Sequence, residues 1–308
     1  MQTTLQRTVR FQGTALHSGN LVDMRVAPAP AGTGFVFDRT DLALPQSRRR
    51  IRVNADALIE ADLCTRIGNA EGVTVSTIEH LMAALAGCGI HNAQITLDGD
   101  EVPILDGSAR PFVASFLAAG VRPLRAPLRA IRVLRPIEVR DGAAFARLEP
   151  APHLSIAFEI DFPDPAIGRQ QKDLPLCNGA FVRELADSRT FCRLSDVERM
   201  RANGLALGGT MENAVVFDGA RVVSPGGLRH LDEPVRHKML DAMGDLAVAG
   251  APIIGRYVGY RAGHTLTGRL VRALLAQRDA HARVIVSETE GHVLPGAGVC
   301  AEDLALTA

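Results

Sequence analysis

The sequence predicts an α+β protein made of two similar α+β layers, and three observations carry that expectation. Each half runs alternating strands and then a helix with polar groups placed on it. Residues 121–136, VRPLRAPLRAIRVLRP, carry three prolines among spaced arginines and mark the best boundary on the chain, dividing it into 1–125 and 126–308. A length of 308 residues suits one large or two medium domains with a full core.

In the first half, alternation predicts strands at 8–11, 21–27 and 34–37, with 13–19 a glycine-flanked turn containing His17. The charge run 48–52 reads as a solvated strand or loop, because no aromatics interleave it as a nucleic-acid patch would require. A short strand is expected at 62–67. Residues 76–87 read as a helix with Ser76 as N-cap, an apolar face of Ile78, Leu81, Met82 and Leu85, and Gly87 as the stop. A strand at 92–97, a turn-rich stretch at 98–109 and a helix at 111–119 close this half.

The second half opens on strands at 131–134, 137–140, 144–149 and 154–162, followed by a short helix at 181–186 and an extended segment at 188–191. A helix at 196–202 and a strand at 214–217 come next. Residues 231–246, LDEPVRHKMLDAMGDL, read as about four helical turns, with Pro234 in the first turn and Val235, Met239, Ala242 and Leu246 as the buried stripe. A strand at 253–260, a turn at 261–264 and an amphipathic helix at 266–277 follow. No repeat is legible residue by residue.

Composition excludes several classes. Acidic and basic residues balance at 34 each, so no overall field favours nucleic acid or a membrane surface. Lysine occurs only at 172 and 238, which makes Lys238 beside His237 noteworthy. The five cysteines contain no Cys-x-x-Cys pair, which argues against a thiolate zinc knuckle or a disulfide framework and fits a reducing cytosol. The N-terminus lacks a signal pattern, and no apolar run approaches the ~20 residues needed to span a bilayer. A soluble cytoplasmic protein is expected.

Three places concentrate reactive residue types. His237, Asp241 and Asp245 lie at i, i+4 and i+8, on one helical face. A neutral imidazole and a carboxylate at that spacing can hold a divalent metal, and they can equally make an intrahelical hydrogen bond on a solvated face. Glu79-His80 is the second place; Ser76-x-x-Glu79 also matches a capping box. His264, behind Gly263 at a strand-to-helix turn, is the third. Taken together, His80, His237 and Asp241 would make a His₂Asp zinc site with a fourth position open. Glu79 could then serve as general base and His264, held protonated by Asp245, as general acid to a leaving amine. Thr190 could donate to a developing oxyanion.

Motifs along nearly the whole chain carry a resemblance: GTALHSG at 13–19, STIEHLMAALAG at 76–87, EVPILDGSA at 101–109, SRTF at 188–191, GLALGG at 204–209, VRHKMLDAMGDL at 235–246 and GH at 263–264. In these it resembles the UDP-3-O-acyl-N-acetylglucosamine deacetylases, zinc amidases that commit lipid A biosynthesis. The resemblance implies a metal on His80, His237 and Asp241, and a His₂Asp set discriminates only weakly between Zn²⁺ and Fe²⁺. It implies Glu79 as base, His264 as acid, Asp245 as its support and Thr190 at the oxyanion. It also implies two domains, each a helix layer packed on a sheet with the site between them. Each would carry an insert: a small sheet within about 43–70 and a β-α-β piece within about 193–222. The second insert would form an acyl passage lined by Leu16, Phe191, Val197, Ala206, Gly209 and Val216, with Lys238 facing the nucleotide or phosphates. The expected partner is therefore a small-molecule UDP-linked acyl-glucosamine, bound by a monomer with no nucleic acid and no stable membrane insertion.

Two places depart from the family pattern. Cys192-Arg193-Leu194 stands where Gly-Phe-Met is usual, so Arg193 is expected to make the passage mouth more polar; that change would permit a zinc amidase or lactonase with a different leaving group. His91 stands where Asp is usual and reads as a surface substitution. A non-catalytic nucleotide-sugar binder, in which the same residues only cap and pack helices, is the alternative of a different class.

Overall fold

The structure is a computed structural model that describes residues 1–305; positions 306–308, the end of the expected 126–308 unit, lie outside the described residues. Two five-stranded sheets dominate it. The first takes the spatial order Val9–Thr14, Leu21–Pro28, Ala93–Leu97, Phe35–Arg39, Arg50–Arg52. All its pairings are antiparallel except Phe35–Arg39 with Ala93–Leu97, which is parallel. Side chains alternate as a half-buried sheet demands: Val22, Met24 and Val26 point inward from the second strand and Ala93, Ile95 and Leu97 from the last. Helix α1, Glu79–Gly87, precedes that last strand, and helix α2, Arg110–Ala119, follows it.

The second sheet repeats this plan. Its spatial order is Ile137–Asp141, Ala144–Glu149, Arg256–Tyr260, Ser155–Asp161, Arg169–Pro175, again antiparallel except for one parallel pair, Ser155–Asp161 with Arg256–Tyr260. Between the fourth strand and the fifth come helix α3, Leu194–Ala202, and helix α4, Glu233–Ala247; helix α5, His264–Ala276, follows the fifth strand. Each half thus places its strands in the order first, second, fifth, third, fourth, with one long helix just before the fifth. A small three-stranded sheet sits at the same place in both. In the first half it is Leu58–Ile59, Arg66–Gly68 and Thr74–Val75. In the second it is Phe191–Arg193, Val215–Asp218 and Arg221–Val222, with α3 crossing between the parallel pair.

Matching topology exposes a repeat that the sequence alone does not. In α1 the run His80-x-Met82-x₄-Gly87 corresponds to His237-x-Met239-x₄-Gly244 in α4. The two helices pack against each other, and one continuous core draws on both halves. Both glycines lie at crossings. A Cβ on Gly244 would stand 2.0 Å from the Glu79 carbonyl oxygen, and one on Gly87 would stand 2.0 Å from the Phe181 ring. Each helix can approach its neighbour this closely only because the side chain is missing.

Several local expectations change. The helix expected to start after Ser76 starts at Glu79, and no side chain caps it. The short strand expected at 62–67 begins only at Arg66. The small sheet expected within 43–70 runs from Leu58 to Val75, because Arg50–Arg52 instead forms the edge of the large sheet. The strand expected at 253–260 breaks at Gly255: Ile253–Ile254 joins a separate sheet with Arg129–Val133 and His281–Ile285. A Cβ on Gly255 would meet Val133 Cγ2 at 2.7 Å, so the break lets two sheets pass closely. Unforeseen strands include Arg169–Pro175, a polar edge, His281–Ile285, and Thr3–Leu5 paired with Val121–Pro123. His91, expected on the surface, is half-buried with Nδ1 2.8 Å from Thr3 Oγ1, and burial pushes its pKa down to about 4.

Candidate metal centre and catalytic site

The chain enters α1 through a strained turn. Thr77 has φ +57, a conformation that β-branched residues rarely adopt. Its hydroxyl donates to Glu101 Oε1 at 2.8 Å, and the same carboxylate accepts the His17 and Ser18 backbone N–H groups at 2.8 and 2.9 Å. Buried Glu101 therefore ties the 17–18 turn to the start of α1. The capping box expected from Ser76 and Glu79 is absent. The Ser76 hydroxyl accepts from Arg66 Nε at 2.9 Å, and Glu79 Oε2 accepts the Thr65 N–H at 2.9 Å. The left-handed Thr77 swings Ser76 out of cap position, which frees the Glu79 carboxylate for other work.

The start of α4 is fixed from the other side. Glu233 accepts from the Arg189 N–H at 3.0 Å, from Arg189 Nε at 2.9 Å and from the Arg229 N–H at 2.7 Å, which anchors the Ser188–Thr190 segment alongside the helix. The Ser188 carbonyl in turn accepts from His237 Nδ1 at 3.0 Å. A carbonyl can only accept, so the proton sits on Nδ1 and the Nε2 lone pair is left facing the site. Burial pushes His237 down to about 4, keeping the ring neutral.

His80, His237 and Asp241 then converge. Each presents one ligand atom, and these lie within 4.8 Å of one another. Asp241 Oδ1 stands 3.3 Å from His237 Nε2 and 3.5 Å from His80 Nε2, and the two rings meet edge to face at 5.0 Å. Asp241 Oδ1 is buried without any hydrogen-bond partner. Leaving a buried carboxylate oxygen unpaired is costly, and a cation held between it and the two ring nitrogens would satisfy all three. The donor set fits a divalent metal with N and O ligands. Burial opposes ionisation of Asp241, but His237, Lys238 and His264 around it outweigh that and hold its carboxyl well below the usual range.

Two titratable groups flank this set. His264 is the first residue of α5 rather than part of the turn before it, and its Nδ1 lies 3.1 Å from each oxygen of Asp245. Its Nε2 stands 3.9 Å from Glu79 Oε1 and 3.9 Å from Asp241 Oδ2. Burial alone would lower the His264 pKa; the charges of Asp245, Glu79 and Asp241 overcome it and raise it to about 9. Glu79 moves the other way from a free carboxylate: burial raises its pKa, offset in part by His264 and His80. A carboxylate of raised basicity beside a protonated imidazole has the chemistry of an acid–base pair.

The remaining expected residues are distributed around this centre. Lys238 Nζ donates to Asp241 Oδ2 at 2.7 Å, so its charge rests on the oxygen of Asp241 that faces His264 rather than His80 and His237. Thr190 is held by backbone bonds, its N–H to Gly107 and its carbonyl to Val215, both 2.8 Å. Phe191 packs edge to face on Phe162, Phe217 and the His237 ring. Leu16, Ala206 and Gly209 come together where the Gly208 N–H bonds the Leu16 carbonyl at 3.0 Å and Gly209 approaches Leu16. Val216 is buried opposite Cys192 in the small sheet, and Val197 lies on the half-buried face of α3. Arg193 pairs with Asp164 at 2.6 Å, so its charge has an acidic partner. Sequence reasoning missed the roles of Thr65, Thr77 and Glu101; Thr77, within STIEHLMAALAG, and Glu101, within EVPILDGSA, lie in quoted motifs, and Thr65 lies in none.

A family described as LpxC: UDP-3-O-acyl N-acetylglycosamine deacetylase matches residues 2–276. A protein of Phenylobacterium zucineum (strain HLK1) named UDP-3-O-acyl-N-acetylglucosamine deacetylase is 53% identical over 279 residues, covering 91% of this chain and 94% of the relative. Proteins of the same name from Shewanella sp. (strain W3-18-1) and Shewanella oneidensis are 48% and 47% identical over 285 residues, covering 91% of both chains in each case.

Proposed function

This chain belongs to the family of UDP-3-O-acyl-N-acetylglucosamine deacetylases, enzymes of lipid A biosynthesis, and from that premise we propose how its own residues remove the acetyl group. The reaction is hydrolysis of the 2-acetamido group to a free amine and acetate. His80, His237 and Asp241 would hold one zinc ion, which supplies a Lewis acid that acidifies water and polarises the amide carbonyl.

The protein's part is proton traffic. Glu79 takes a proton from the attacking water as the C–O bond forms. His264 gives its proton to the amide nitrogen as the C–N bond breaks, because an amine leaves readily only when protonated. Asp245 holds His264 in its charged form and orients it, Thr190 donates to the oxyanion, and Lys238 keeps Asp241 ionised and offers positive charge on the substrate side. The acyl chain runs past Leu16, Phe191, Val197, Ala206, Gly209 and Val216. Residues 1–125 supply Glu79 and His80, and residues 126–308 supply the rest of the centre. The protein works in the cytoplasm, a location supported by five unpaired cysteines and by the absence, among the described residues, of a helix long and apolar enough to cross a membrane.

The observation that carries this reading is the 3.9 Å approach of Glu79 Oε1 to His264 Nε2 beside a buried, unpartnered Asp241 oxygen. The test is acetate release from the UDP-linked substrate after chelation and after zinc is restored, with zinc counted per chain. The expected result is loss and recovery of activity at about one zinc per chain. Turnover that survives metal removal would overturn the zinc mechanism.

A further inference from the structure

We propose that Thr65 is a positioning residue that couples the general base to the general acid, a role that rests on the acid–base reading above. Thr65 is buried, 4% exposed, and lies in the turn between the first two strands of the first-half small sheet. Every polar group it has is committed to the site. Its N–H donates to Glu79 Oε2 at 2.9 Å, its hydroxyl donates to Asp245 Oδ1, and its carbonyl accepts the Ile78 N–H at 3.3 Å, the residue immediately before α1. Glu79 and Asp245 are 166 positions apart and belong to different halves of the chain. Thr65 is 14 positions from the first and 180 from the second.

The first donation divides the Glu79 carboxylate into a fixed oxygen and a working one, and the second fixes Asp245 through Oδ1. With Oε2 occupied by the Thr65 N–H, Glu79 turns Oε1 toward His264 Nε2. With Oδ1 fixed by the Thr65 hydroxyl, the Asp245 carboxylate is locked in rotation and meets His264 Nδ1 with both oxygens at 3.1 Å. His264 then points its other nitrogen at the base. Such outer contacts set the orientation of the groups they touch, and their loss typically lowers activity by about 10- to 100-fold. The small sheet is thereby more than a wall of the site, since its turn holds both proton-transfer arms.

The experiment compares Thr65→Val, which keeps the shape and removes the hydroxyl, with Thr65→Ser, which keeps the hydroxyl and removes the methyl. Both are assayed for kcat and KM by acetate release beside wild type and Glu79→Ala, and zinc content is measured for each. The expected result is a fall in kcat of about tenfold or more for Thr65→Val with KM within about twofold, unchanged zinc, and near-complete recovery in Thr65→Ser. Should Thr65→Val fail to fold, Thr65→Ala takes its place under the same expectation. A Thr65→Val kcat matching wild type overturns the proposal, as does equal impairment of Thr65→Val and Thr65→Ser, which would make the contribution one of packing. A wild-type protein that releases no acetate overturns the acid–base reading and Thr65 with it; an active wild type with an unimpaired Thr65→Val overturns Thr65 alone.

Discussion

His264 meets both oxygens of Asp245 at 3.1 Å through Nδ1, while its Nε2 is left facing Glu79. This carboxylate thus fixes the direction of the ring and is the largest of three that keep it charged.

Replacing Asp245 by Asn keeps the shape and removes the charge. The raised pKa of His264, about 9, should fall toward its ordinary value, and kcat should drop by about 10- to 100-fold. A pH–rate profile checks this: the alkaline limb should move to lower pH in Asp245→Asn. A limb that stays in place would mean another group is the acid.

Stability should carry the same signature. The folded pKa of His264, about 9, lies above its unfolded value near 6.5, so its contribution is fully present below about 6.5 and is lost as pH rises through about 9. Urea midpoints of metal-free wild type and His264→Gln, compared from pH 6 to 10, should differ most at the acid end and converge at the alkaline end. A difference that grows with pH would reverse the assignment.

Metal should stabilise the fold. An ion bound only by the native state contributes about 4 kcal/mol when its concentration is ~1,000-fold above Kd. Chelation should therefore lower Tm by several degrees and zinc should restore it, while Asp241→Ala should gain nothing from zinc. Differential scanning of the four samples decides it; an Asp241→Ala protein that still responds to zinc would remove Asp241 from the ligand set.

Gly244→Ala tests the helix crossing. The added Cβ would stand 2.0 Å from the Glu79 carbonyl, so α1 and α4 must separate. Overpacking of this kind costs about 1–3 kcal/mol, and here it also displaces Glu79 from His237 and Asp241. Chemical denaturation and kcat should both suffer. Wild-type values for the two would show that the crossing has slack.

What the sequence made legible was what helical geometry makes local. His237, Asp241 and Asp245 share a face because 3.6 residues make a turn, and that could be read without knowing any partner. Glu79 was harder. Ser76-x-x-Glu79 satisfied a capping pattern, yet the left-handed Thr77, which no residue-type rule forecasts, spoiled the cap and redirected the carboxylate. Thr65 left no trace at all, since its hydroxyl partner lies 180 residues away. Arg169–Pro175 escaped for a different reason. As an edge strand with little to bury, its polar residues show no apolar alternation.

The run shared by α1 and α4 speaks to how such a centre could arise. A half-length chain of this topology, paired with a second copy across a two-fold axis, would bring the same histidine face to face with itself. Two nitrogen ligands would come from symmetry alone. What symmetry cannot supply is difference: the position of Asp241 in α4 is Ala84 in α1, and the position of Glu79 beside α1's histidine is Arg236 in α4. Duplication and fusion would let the copies diverge, so that one specialised in presenting the base and the other the carboxylate ligand. By that history the paired histidines would be the inherited part of the protein, and the proposed catalyst its asymmetry.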